Sequence, residues 1–152
     1  MRCTYRGRVC ERETVRDGLV AGSVAAVLSG APSTLYALAT GDDPLAATLA
    51  AGAMVMPRER RPARLVLTAM PVHAALSLGW AQVLAATLPR RRTTIWGAVA
   101  GLGIAALDLG IIGHRFPRVR ALPQLPQVAD HLAYGATVGA VLSLRRRWRG
   151  GD

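Results

Sequence analysis

The residues of this chain with chemistry to offer inside its apolar stretches are Asp108, His73 and His131, followed by Asp130, His114 and Tyr134. A carboxylate among imidazoles in an apolar setting is the raw material of a proton or cation relay. Two histidines on different helices can also hold a haem or a metal ion, with Met70 one turn before His73 as a further donor. A third use is purely structural, with Asp108 pairing with a histidine or with Arg115 to lock helices together. These three uses stay open here, and helix locking is the expectation carried forward. The chain has no phosphate-binding glycine loop, no nucleophile elbow and no paired-carboxylate motif in a soluble setting. No enzymatic activity, catalytic residue, metal or cofactor is therefore expected.

The elements that must position these residues follow from composition and charge. Apolar residues make up 51% of the chain and charged residues 18%, below the ~25% charged content of soluble domains. The net charge is +10, and all nineteen basic residues are arginine. The lack of lysine beside abundant Ala, Gly and Arg points to a high-GC bacterial genome. The arginines fall in five clusters, at residues 2 to 16, 58 to 64, 90 to 92, 115 to 120 and 145 to 149, with apolar runs between them. Cations that punctuate hydrophobic segments mark membrane boundaries, whereas a nucleic-acid binder spreads them over one face. A nucleic-acid partner is not expected. Cys3 and Cys10 match no zinc spacing and read as reduced cytosolic thiols. Residues 1 to 17 are too polar to contain the apolar core of a signal peptide.

Two runs of 24 and 25 residues carry no charge, "GLVAGSVAAVLSGAPSTLYALATG" from residue 18 and "LVLTAMPVHAALSLGWAQVLAATLP" from residue 65. Each exceeds the ~18 apolar residues that define a transmembrane candidate. Gly30 and Pro32 predict a break near residue 31, and Pro71 predicts a bend before His73. Residues 93 to 113 form a third candidate containing Asp108, and residues 128 to 144 a fourth that opens on Asp130 and His131. Residues 44 to 56 are short for a crossing, with Asp43 as N-cap and Pro44 at the first helical position. They form a thin crossing, a re-entrant helix or a helix lying against the bundle. The expected fold is an all-α transmembrane bundle of four to five helices over residues 18 to 145. It has an Arg-rich cytoplasmic segment before it (1 to 17) and a basic tail after it (146 to 152). Arginine counts place twelve inside and seven outside whether or not residues 44 to 56 cross. The N-terminus is then cytoplasmic in both topologies and the C-terminus changes side. Trp96 and Trp148 sit where indoles anchor at an interface, and Trp80 lies deeper, within the bundle.

Three segments carry the spacing that lets membrane helices approach closely: Gly18 and Gly22, Gly97 and Gly101, and Gly135 and Gly139. Asp108 lies within about 20° of Gly97 and Gly101 on its helix, and His131 about 40° from Gly135. Both polar groups are thus expected to face other helices. At ~1.5 Å per residue, Asp108, His73 and His131 fall within ~5 to 13 Å of one membrane face. His114, Asp130 and Tyr134 lie near the same level. A single polar layer is the expected result.

The stretches "DGLVAGSVAAVLSG" and "HLAYGATVGAV" resemble small bacterial inner-membrane proteins of actinobacterial type and are similar to the YagU-like family. The resemblance rests on Gly18, Leu19, Ala21 and Gly22 at the front and on His131, Leu132, Tyr134 and Gly135 at the back. It implies a multi-pass helical protein of the bacterial plasma membrane and brings no catalytic residues. The partner expected throughout is the lipid bilayer, with a homo-oligomer or another membrane protein as a further possibility.

Overall fold

The computed structural model describes residues 3 to 149, with side chains for residues 11 to 148. The side chains of Cys3, Cys10 and Arg149 lie outside that range. The described residues are helical almost throughout: α1 Cys3–Leu28, α2 Ala31–Thr40, α3 Ala46–Val55, α4 Pro62–Thr87, α5 Thr93–Ala105, α6 Pro117–Arg120 and α7 Gln124–Arg149. A π-helix, Ala106–Ile112, and a 3₁₀ turn, Gly113–Arg115, continue α5. Glu11–Thr40, Pro62–Thr87 and Thr93–Arg115 are long and apolar enough to cross a membrane.

Helical structure runs across two of the expected boundaries. The segment up to residue 17 shares one helix with the first apolar run, because α1 is unbroken from Cys3. The basic tail likewise continues α7 to Arg149. Arginine is a good helix former and Ala, Leu and Glu flank it, so charge alone does not end a helix. The break falls where Gly30 and Pro32 place it. Pro32 has no N–H and would clash with the Leu28 carbonyl, so α1 stops there and α2 restarts with Pro32 in its first turn. Gly41, at φ +78°, ends α2 in the left-handed conformation that favours glycine. Pro71, by contrast, leaves α4 unbroken.

Close pairs across the bundle fix its topology. Gln82 Nε2 donates to the Val15 carbonyl at 3.2 Å and His73 reaches Ala26 at 3.0 Å, so α1 and α4 run antiparallel. Gly135 faces Gly97 and Gly139 faces Thr93, so α5 and α7 do too. Asp17 meets Arg145 and Ser33 meets Asp130, which sets α1 and α2 antiparallel to α7. Residues 17, 88, 93 and 145 therefore share one end of the bundle, here the termini end. Thr40, Pro62, Arg115 and Gln124 share the other. Helix α3 begins and ends at that opposite end. Its ten residues span about 15 Å, half a hydrocarbon core. It lies against α4, where a Cβ on Gly52 would overlap the Leu65 backbone and Thr68 Oγ1 approaches Met56 Sδ at 3.2 Å. Asp43 does not act as its N-cap; it accepts from Leu45 N at 2.9 Å in the turn ahead of the helix. The α3–α4 turn is held by Glu59, which accepts from the Arg61 and Arg60 N–H groups at 2.9 Å each. Those bonds keep its carboxyl below the usual range.

Alanine and glycine line the helix contacts, a few larger residues fill the centre, and many large apolar residues face outward. The core is Ala21, Ala25, Ala81, Leu84, Ala85, Ile104, Tyr134, Val138 and Leu142, with Trp80 packed against it. Leu, Val and Ile fill the exterior, among them Val27 at 81% exposure and Leu67 at 69%. The tightest seam is α5 on α7. A Cβ on Gly97 would run into the Gly135 carbonyl, one on Gly101 into the His131 carbonyl, and one on Gly135 into the Gly97 carbonyl. Gly18 and Gly22 do the same duty on α1, facing Gln82 and Ala81 of α4. Gly135→Ala is expected to destabilise the detergent-solubilised protein by about 1–3 kcal/mol through overpacking. Gly79 and Gly103, with no neighbour within 4 Å of an added Cβ, are the contrast. Alanine at either should leave the denaturation midpoint unchanged or raise it, since it favours helix by up to ~1 kcal/mol.

Candidate functional site

Asp108 sits in the first turn of the π-helix, on the glycine stripe of α5, and the antiparallel α7 carries His131 to it. The Nε2 of His131 lies 3.4 Å from Asp108 Oδ2, and its Nδ1 lies 2.8 Å from the Gln127 carbonyl. Both ring nitrogens thus face an oxygen. A neutral imidazole has only one N–H, and the Gln127 carbonyl can only accept, so Nδ1 carries it. The second contact is an ion pair when the imidazole is protonated at both nitrogens, and both side chains are partly exposed.

The other expected members of a polar layer are placed elsewhere. His73, exposed at the α1–α4 seam, donates to the Ala26 carbonyl rather than joining Asp108. Asp130 accepts the Ser33 backbone N–H at 2.8 Å. Tyr134 is buried and donates its hydroxyl to the Ser77 carbonyl of α4. His114 is exposed on the 3₁₀ turn and takes part in no hydrogen bond or ion pair among the described residues. Met70 is also exposed. Among the described residues no group of three or more His, Cys, Asp and Glu side chains could hold a metal ion.

Each of these placements answers a need of the backbone. Ala26 is in the last turn of α1, where carbonyls have no partner within the helix, and Ser33 is in the first turn of α2, where N–H groups have none. His73 supplies a donor to one side of the α1–α2 break, and Asp130 supplies an acceptor to the other. A helix broken at membrane depth needs both.

Two interactions at the termini end escaped sequence reading. Asp17, with its side chain 4% exposed, holds Arg145 Nε at 2.6 Å. Arg146 donates to the Leu88 and Ala85 carbonyls at 3.2 and 3.0 Å, closing the C-terminus of α4. The signal for the first was available, because Asp17 stands four residues before Ala21 and eight before Ala25, on the buried face of α1. Arg145 and Arg146 are thus structural contacts as well as boundary charges, while Trp148 stays exposed.

These contacts define the class: an all-α bundle with small residues and polar locks inside, an apolar exterior, and three helices of membrane-spanning length. The chain has no match among the family models, curated proteins or solved structures compared with it. Asp17→Asn is expected to cost about 3 kcal/mol by leaving Arg145 unpaired beside a buried amide, read as a lower denaturation midpoint. Asp42→Asn in the exposed α2–α3 turn should change it little.

Proposed function

We propose that this chain is a small multi-pass integral membrane protein of a bacterial plasma membrane with a structural or accessory role, its polar residues fixing helix packing. One observation carries the role: His73, Asp130 and Tyr134 are each spent on a backbone group of another helix. The insertion rests on the apolar exterior, since a soluble monomer rarely exposes more than a few hundred Å² of contiguous apolar surface. On this proposal α1–α2, α4, α5 with its π-helix, and α7 cross, and α3 lies against the bundle. Five arginines before Asp17, three at 90 to 92 and four at 145 to 149 then share the cytoplasmic side, twelve against seven. Its partners are the bilayer and, in an accessory role, another membrane protein or a second copy. It carries no catalysis.

The protein should stay with membranes through alkaline carbonate extraction, and reporters fused to either terminus should be active only as cytoplasmic fusions. A periplasmic C-terminus would refute the four-crossing arrangement. Asp108→Asn should lower the denaturation midpoint in detergent and leave ion flux across liposomes unchanged.

A second role, as a proton-linked channel or small transporter using Asp108, His73 and His131, is favoured by one observation. Asp108, the carboxylate of the Asp108–His131 pair, sits on a π-helix, a form common at functional sites. It requires proteoliposomes to show a pH-driven flux that Asp108→Asn abolishes; absence of flux in the wild-type protein removes it. A haem or metal between His73 and His131 would have to draw both from their carbonyl partners. A Soret band or bound metal in the purified protein is its test.

A further inference from the structure

We propose that the arginine-walled cavity between the start of α5 and the end of α7 binds the phosphate group of an anionic lipid; this rests on the membrane-embedded arrangement above. The cavity has a volume of about 440 Å³ and lies at the termini end of the bundle. Four arginines line it, Arg90 and Arg92 from the α4–α5 turn and Arg146 and Arg147 from α7. No carboxylate lines it, and among the described residues none pairs with any of these four arginines. Asp17 at the same end is already engaged by Arg145.

Cations gathered around one cavity repel one another, and Arg146 is held there nonetheless. Arg146 is tied down by the two α4 carbonyls it closes, so it cannot swing away from Arg90. Burial and, after it, the neighbouring Arg90 both disfavour its charge. Arg92 occupies a left-handed backbone conformation, φ 54°, that glycine would adopt more easily. An anion in the cavity answers the charge on both walls at once.

The remaining lining specifies which anion. Thr94 and Ser143 bring hydroxyl donors to the wall, and the first-turn N–H groups of α5 have no partner within the helix. Guanidinium forks, hydroxyls and helix N–H groups together are the donor set for phosphate oxygens. Ile95, also in the lining, is 59% exposed, and Trp96 beside it is 50% exposed. An apolar flank next to an interfacial indole places the cavity at headgroup level and gives an acyl chain a surface to follow.

The test uses the full-length protein in detergent. Native mass spectrometry reads its binding of phosphatidylglycerol, of phosphatidylcholine with the same chains, and of inorganic phosphate. The wild type should retain phosphatidylglycerol in preference to both other ligands. Arg92→Gln with Arg147→Gln removes two guanidinium groups that form no ion pair among the described residues, and should weaken that binding by about tenfold or more. Arg58→Gln with Arg60→Gln, exposed at the opposite end, should leave it unchanged. Equal retention of phosphatidylcholine, equal binding of inorganic phosphate, or an unaltered Arg92/Arg147 variant would each overturn the proposal. Carbonate extraction of the same preparation separates the two levels. Protein that stays in the membrane yet ignores phosphatidylglycerol refutes the lipid site alone, whereas protein that leaves the membrane refutes the embedded arrangement beneath it.

Discussion

The approach of the α5 backbone to the α7 backbone, at Gly97 and Gly101 against Gly135 and Gly139, is the constraint on which the other contacts depend. At these crossings an added Cβ on either helix would meet a carbonyl or a Cα of the other. In lipid there is little hydrophobic gain in bringing helices together, so association relies on dispersion between close backbones and on polar pairs. Dispersion falls off steeply with separation, and the glycine seam therefore admits one register. That register sets Asp108 beside His131 and orients α7 so that its other faces meet α1, α2 and α4. Asp130 then reaches Ser33, Tyr134 reaches Ser77, and Arg145 and Arg146 reach Asp17 and the end of α4.

Helix α7 is thus the common strut of the bundle, and its polar residues serve different neighbours at successive depths. The α1–α2 break explains why so many are needed. A helix interrupted by Gly30 and Pro32 exposes carbonyls on one side and N–H groups on the other, and hydrocarbon satisfies neither. His73 and Asp130 meet those two needs from two different helices. Inter-helix hydrogen bonds of this kind contribute ~0.6 to 2 kcal/mol each, modest singly. Leaving a backbone group unpaired costs more than any one of them returns, so the arrangement is better described as avoided penalty than as accumulated attraction.

Much of the fold was legible because it depends on local properties of the chain. Charge-free length marked α1–α2 and α4, Gly30 and Pro32 marked the break, and the 3.6-residue period put Asp108 on the stripe of Gly97 and Gly101. What the period leaves unspecified is the rotation and register of one helix against another. His73, Asp130 and Tyr134 sit at similar depth to Asp108 on their own helices, which made a single polar layer the natural expectation. Their partners are instead three separate backbone groups, because α4 turns His73 toward α1 and α7 presents Asp130 and Tyr134 to different neighbours. Asp17 was obscured for a related reason. Its arginine-rich surroundings read as solvated, while its four-residue spacing from Ala21 and Ala25 placed it on the face that packs.

The two kinds of arginine at the termini end make a final distinction. Arg145 and Arg146 are absorbed into the fold, one by a buried carboxylate and the other by helix-end carbonyls. Arg90, Arg92 and Arg147 are exposed and have no such partner among the described residues. A bundle whose cations served only to hold helices would neutralise them, since unpaired like charges at close range oppose the packing that brings them together. The packing persists because the glycine seam, a few residues deeper, holds α5 and α7 together regardless of that repulsion. The same backbone contact that fixes the interior also sets the start of α5 beside the end of α7, where these arginines gather. Charge left over after folding is charge available to what lies outside the fold.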